Sequence, residues 1–167
     1  MSGHTLARGR SMPNPTVTFG ELTREGMESL LSRHHVGRLA FAFQGRVDIE
    51  PIHFVFSGGA IFGRTTFGTK LTVLMHHPWV AFEVDDVQGP FDWQSVVVKG
   101  TVYFLEPGES AQLREAYAHG LGVIRSVMPL AFTPDDPAPE RSILFRIHIH
   151  EMEGRVASTN RVGETRT

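Results

Sequence analysis

The chain has 167 residues, 41% hydrophobic and 20% charged, a balance that suits a soluble globular domain long enough to bury a core. A formal net charge of −2 gives no electrostatic footprint for nucleic acid, and no apolar run approaches membrane-spanning length. The absence of cysteine excludes disulfides, thiolate metal ligands and thiol catalysis.

Residues 1–17 are rich in Gly, Ser, Pro and Asn and read as a flexible arm. They lack the apolar stretch of a secretory signal, so cytoplasmic residence is the expectation. Residues 18–157 are expected to form one domain, followed by a flexible tail over 158–167. Thr18 and Glu21 form a capping box ahead of Leu22, Met27, Leu30 and Leu31, predicting a helix to about His34. From Gly37 the period becomes two, with Leu39, Phe41 and Phe43 on one face, and Gln44-Gly45 marks a hairpin turn. The strand Val47 to Phe56 contains Pro51, which has no N–H for a ladder and predicts an edge or a bulge. Backbone kept out of a ladder is free to bond something else. Ser57-Gly58-Gly59 turns the chain into a strand over Ala60 to Thr65.

The run Ile61 to Leu71, IFGRTTFGTKL, carries the densest chemistry. Thr66 offers a helix N-cap, and helical spacing continues through Lys70, Leu71, Leu74 and Met75 until Pro78. A strand that runs into a helix N-terminus leaves backbone N–H groups unpaired at the positive end of the helix dipole. Arg64, Thr65, Thr66 and Lys70 add two cations and two hydroxyls there, which are the parts of a phosphate site. Strand alternation places Arg64 and Thr66 on one face and Thr65 on the other.

Further along, Trp79 to Val84 reads as a buried strand, Asp85 to Asp92 as an acidic loop and Ser95 to Leu105 as a long strand. Pro107 to His119 predicts a helix capped by Gly120, a second short helix covers Val123 to Leu130, and 133–140 form a surface loop. Ser142 to Glu151 alternates with Ile143, Phe145, Ile147 and Ile149 inward. Six strands with antiparallel patterning and short turns predict a mainly β fold with helices, a small decorated barrel.

The segments FGRTTFGTKL, VAFEVDDV and WQSVVVKG, in that order after GRLAFAF and EPIHFVF, resemble the pyridoxamine 5′-phosphate oxidase-like FMN-binding proteins. They lie nearest the nitroimidazole-resistance-like branch. The resemblance covers Glu21 to Glu106 closely and the last strand loosely. It implies a split β-barrel that binds FMN at a homodimer interface. It also implies that the strand over Ile49, Glu50, Pro51, Ile52 and His53 faces the isoalloxazine ring. By the same resemblance Arg64, Thr65 and Thr66 form the phosphate-side turn, Lys70 binds the phosphate, and Trp93, Gln94 and Ser95 approach the flavin. The implied function is an FMN-dependent oxidoreductase, reduced by NAD(P)H or a similar donor and acting on a small acceptor. The alternative is a non-catalytic module that holds a flavin, a deazaflavin coenzyme, haem or a tetrapyrrole.

The segment EMEGRVASTNRVGETRT has Arg155 and Arg161 but no His matching the family's substrate motif, so pyridoxamine 5′-phosphate is not the expected substrate. Few other charges map beside His53, and a small, flat, moderately apolar acceptor is expected. His34-His35 and His76-His77 read as helix-end residues, and His148 and His150 share a strand face without a third ligand, so no metal is expected. Trp79, Trp93, Phe54 and Phe56 exceed what one small barrel needs, which predicts an apolar dimer face.

Overall fold

The computed structural model describes residues 16–160. Seven strands and three helices follow in the order β1 (Thr16–Glu21), α1 (Arg24–Arg33), β2 (Val36–Phe43), β3 (Arg46–Ser57), β4 (Ala60–Thr65), α2 (Thr69–His76), β5 (Trp79–Gly89), β6 (Asp92–Leu105), α3 (Ala111–Arg125) and β7 (Ile143–Asn160). All pairings are antiparallel, in the order β1-β7-β4-β3-β2-β5-β6, and a further β7–β6 pairing closes β2 to β7 into a barrel. This is a split-barrel architecture, as the resemblance implies; the strand pattern predicts a small decorated barrel of six strands, and β1 is the seventh.

Local chemistry sets the two hairpins that frame β3. Gln44 and Gly45 have φ of 49° and 75°, and Gly58 and Gly59 have 57° and 75°. Both are two-residue turns with consecutive positive φ, whose twist matches that of the flanking strands. Inward residues then meet in one core: Leu39, Phe41, Ile52, Phe54, Phe82, Val84, Val96, Val98, Phe145 and Ile147, closed by Leu30 and Leu31 of α1 and by Val73 and Leu74 of α2. Phe54 is fully buried, its ring 4.9 Å from that of Phe82 in an edge-on contact. A second cluster, Val55, Phe62 and Leu144 with Ile124 and Ala131, packs α3 on the outer face of β3 and β4. The pairing of β6 with β7 is bulged beside Gly100, which sits opposite Ile149 while Lys99 sits opposite Glu151. A Cβ on Gly100 would lie 2.3 Å from the His148 carbonyl oxygen, so the close approach needs glycine.

Several expectations are corrected. Thr18 and Glu21 do not cap a helix: they belong to β1, where the Thr18 hydroxyl hydrogen-bonds the Ser158 hydroxyl across the ladder at 2.9 Å. The long β7 supplies the partner that makes this segment a strand. The cap of α1 is Thr23, whose hydroxyl accepts from Gly26 N–H at 3.1 Å. The arm and tail boundaries shift with it, since Thr16 and Val17 pair with Asn160 and Thr159. Residues 1–15 and 161–167, including Arg161 and Arg166, lie outside the described residues.

The expected loop over Asp85 to Asp92 is mostly strand, because β5 and β6 form one long hairpin. Gly120 is buried inside α3 rather than capping it. A Cβ there would approach Leu105 Cδ1 to 2.7 Å, so this glycine serves helix–sheet contact. The segment after Thr65 stays non-helical until Gly68, which occupies the N-cap of α2 in place of Thr66. Of the large apolar residues in excess of a small barrel's needs, Phe54 is core and Phe56 is half-buried against it, whereas Trp79 is 65% exposed.

Candidate functional site

Pro51 lies on an open edge, as its missing N–H requires. The N–H of Phe54 donates at 3.0 Å to the carbonyl oxygen of His35, the residue that leads into β2. Residues two apart aim their backbone groups the same way, so Asp48, Glu50 and Ile52 also face β2. Val47, Ile49, Pro51 and His53 aim at the opposite side, where β4 pairs only with Phe54–Ser57. Among the described residues that edge is uncovered by any strand from Val47 to His53, and Ile49 N–H is met by the Asp48 carboxylate at 2.9 Å.

Alternation then sorts the side chains to two sides. On the barrel side, the Lys70 ammonium pairs with the Glu50 carboxylate, and the Thr65 hydroxyl is buried without a hydrogen-bond partner among the described residues. The α2 N-terminus has no side-chain cap, so its first N–H groups are also free of one. Thr66 is half-buried between these two features.

On the outer side, Arg64 is 5% exposed and forms a two-pronged ion pair with Asp136, with Nη2 donating to Oδ1 at 3.0 Å. The Asp136 carboxylate also accepts the N–H groups of Phe132 at 2.7 Å and Ala138 at 2.9 Å. The Arg64 guanidinium holds the Asp136 carboxyl well below the usual carboxylate range, ahead of an opposing push from burial. Arg64 also sits 5.6 Å from the Phe132 ring centroid. It is therefore committed to the 126–142 segment rather than to the turn with Lys70.

A cavity of about 440 Å³ opens on this outer side, lined by His53, Arg64, Arg141, Glu140 and an apolar wall that includes Met128, Pro129 and Leu130. Arg141 Nη1 donates to His53 Nδ1 at 3.1 Å. Burial, then the Arg141 and Arg64 charges, push the His53 imidazole below its ordinary value, so it is neutral at pH 7. Because arginine only donates, Nδ1 is the acceptor and the remaining ring proton sits on Nε2. The expectation of a nearly charge-free surface beside His53 is thus corrected by Arg141 and Glu140.

Trp93, Gln94 and Ser95 are not brought to this group. They lie at the start of β6, separated from β3 by β2 and β5. Ser95 Oγ donates to Glu83 Oε1 at 3.2 Å, and Arg38 bridges Glu83 and Asp85. Burial, then the neighbouring Asp85 charge, raise the Glu83 carboxyl above its ordinary value. Trp93 lies 6.5 Å from Phe19 of β1. His150, ring to ring with His148 at 4.9 Å and with Trp79 at 5.1 Å, contacts the Thr101 hydroxyl.

Sequence reasoning missed Asp136 and Arg141. The usable signal for Asp136 was the Asp-Pro step in TPDDPAPE, a turn former whose carboxylate bonds backbone two residues on. Its pairing with Arg64 spans 72 residues and has no local signature.

Residues 23–156 match the family described as pyridoxamine 5′-phosphate oxidase. The chain belongs to this family. Among solved structures, an FAD-binding protein from Mesorhizobium loti is 27% identical with a TM-score of 0.66, covering 84% of this chain and 99% of its own. A putative pyridoxamine 5′-phosphate oxidase from Corynebacterium glutamicum is 26% identical with a TM-score of 0.62, covering 86% and 100%. A putative 5-nitroimidazole antibiotic resistance protein from Bacteroides thetaiotaomicron shares the fold at 16% identity and a TM-score of 0.64, covering 93% and 98%. No match is found among curated proteins. The family thus agrees with the resemblance that the three segments carry. No described helix is long and apolar enough to cross a membrane.

Proposed function

We propose that the chain is an FMN-binding oxidoreductase that reduces a small acceptor and is not a pyridoxamine 5′-phosphate oxidase. The observation that carries this reading is the open backbone edge of β3 beside a cation, a buried unpartnered hydroxyl and an uncapped helix start. The edge offers backbone donors and acceptors to a flat heterocycle, as β-strand edges do for other ligands. Lys70, the Thr65 and Thr66 hydroxyls and the α2 N–H groups suit a phosphate monoester. Bound flavin supplies the redox chemistry, and the protein supplies binding, orientation and hydrogen bonds. The FAD-binding relative and the family match support a flavin as the bound group.

A second phosphate needs a second cationic cluster. Arg155 lies on β7 opposite Ser95 and Glu21, Arg64 is neutralised by Asp136, and Arg141 beside His53 is a single guanidinium and not a cluster. Anaerobic NAD(P)H is expected to bleach the flavin absorbance of the reconstituted protein, and a quinone or nitroaromatic acceptor to restore it. Flavin that binds but stays oxidised with both donors points to the non-catalytic binding module. Formation of pyridoxal 5′-phosphate at about 1 per second or faster contradicts the substrate reading.

The same reading proposes a homodimer. One chain keeps Trp93, Gln94 and Ser95 apart from Lys70, so a second copy is the simplest way to bring them to one flavin. Exposed Ile49, Val47 and Trp79 give the apolar area that an isologous face needs. Light scattering after size exclusion is expected to give about twice the 18.6 kDa chain mass. A monomer at micromolar concentration sinks the shared site.

A further inference from the structure

The cavity between β3 and the 126–142 segment is more specific than an acceptor of generic flatness requires. Its wall is apolar, from Met128, Pro129, Leu130 and Ala131, and its polar groups are few and fixed. Arg64 cannot serve an incoming anion, because Asp136 already neutralises it. Arg141 is different. Its polar contact is the neutral His53 ring, and among the described residues it forms no ion pair. Glu140, the other charged lining residue, is exposed to solvent. The His53 tautomer leaves an Nε2–H that donates rather than accepts.

A site with one unneutralised guanidinium, one ring N–H donor and an apolar wall selects a ligand with one anionic acceptor group on a flat apolar body. A guanidinium fork matches the two oxygens of a carboxylate. We propose that this cavity is the substrate pocket and takes small aromatic or unsaturated carboxylates, with Arg141 on the carboxylate and Leu130 and Met128 against the body. The role as substrate rests on the flavin reading, whereas the binding itself does not.

The test is calorimetric titration of the wild-type protein and Arg141→Gln with benzoate and with benzamide, its uncharged isostere. FMN is titrated into both proteins in parallel. Wild type is expected to bind benzoate at least about tenfold more tightly than benzamide. Arg141→Gln is expected to lose that preference while keeping its affinity for benzamide and FMN. Thermal unfolding of Arg141→Gln like wild type excludes a folding defect. Equal binding of the two probes, no saturable binding, or a benzoate preference that survives Arg141→Gln overturns the pocket assignment. Failure of FMN alone to bind, with the benzoate preference intact, removes the flavin reading and leaves the carboxylate site standing.

Discussion

Asp136→Ala is expected to lower the midpoint of thermal unfolding by roughly 6–15 °C. The reason is what the substitution strands. Arg64 sits between β4 and the 126–142 segment at 5% exposure, and among the described residues its Nε has no partner even in the intact pair. Without Asp136 the guanidinium keeps its charge and loses its carboxylate, and the N–H groups of Phe132 and Ala138 lose their acceptor. The double variant Arg64→Met, Asp136→Leu removes both charges and is expected to recover much of the loss, as replaced buried pairs often do. The pH dependence has a definite sign. The carboxyl titrates at about 3.9 when unfolded and well below that when folded. Its contribution is therefore complete above about pH 5 and is lost as pH falls below about 4. Unfolding of Asp136→Asn is expected to be flatter over that acid range. A wild-type-like midpoint for Asp136→Ala rules out the pair as the anchor of the segment.

Lys70→Ala is expected to weaken FMN binding about ten- to a hundredfold, the loss of one charge-assisted contact to phosphate. The Lys70 side chain is 15% exposed and is held by Glu50, so the phosphate must compete with that carboxylate. Glu50→Gln therefore acts in the opposite direction, freeing Lys70 and tightening FMN by a few-fold, within the range of about 0.2–1 kcal/mol for such pairs. Opposite signs from two partners in one ion pair are hard to obtain from unfolding. Unchanged affinity in Lys70→Ala places the phosphate elsewhere.

Much of this organisation is legible in the residues. Gln44-Gly45 and Gly58-Gly59 announce their turns because two consecutive positive φ angles are costly for most other pairs. Pro51 announces the open edge because it lacks a donor, and strand alternation alone separates Arg64 from Thr65. What escapes is non-local. Thr18 and Glu21 have the spacing of a capping box, yet the competing strand pairing comes from Arg155 to Asn160 at the far end of the chain. Gly120 looks like a helix end because only its packing against Leu105 and Leu144 shows why it is tolerated inside one. Arg64 is a plausible phosphate ligand until Asp136 folds onto it, and Arg141 carries no motif at all.

The central claim, a flavin held by its phosphate beside the open edge of β3, is tested most directly by comparing FMN with riboflavin. The two share the ring system and differ in the phosphate. Titrated into the purified apoprotein and followed by quenching of flavin fluorescence, FMN is expected to bind at least about tenfold more tightly than riboflavin. That gap should shrink in Lys70→Ala. Equal affinity for FMN and riboflavin, or binding of neither, contradicts the account.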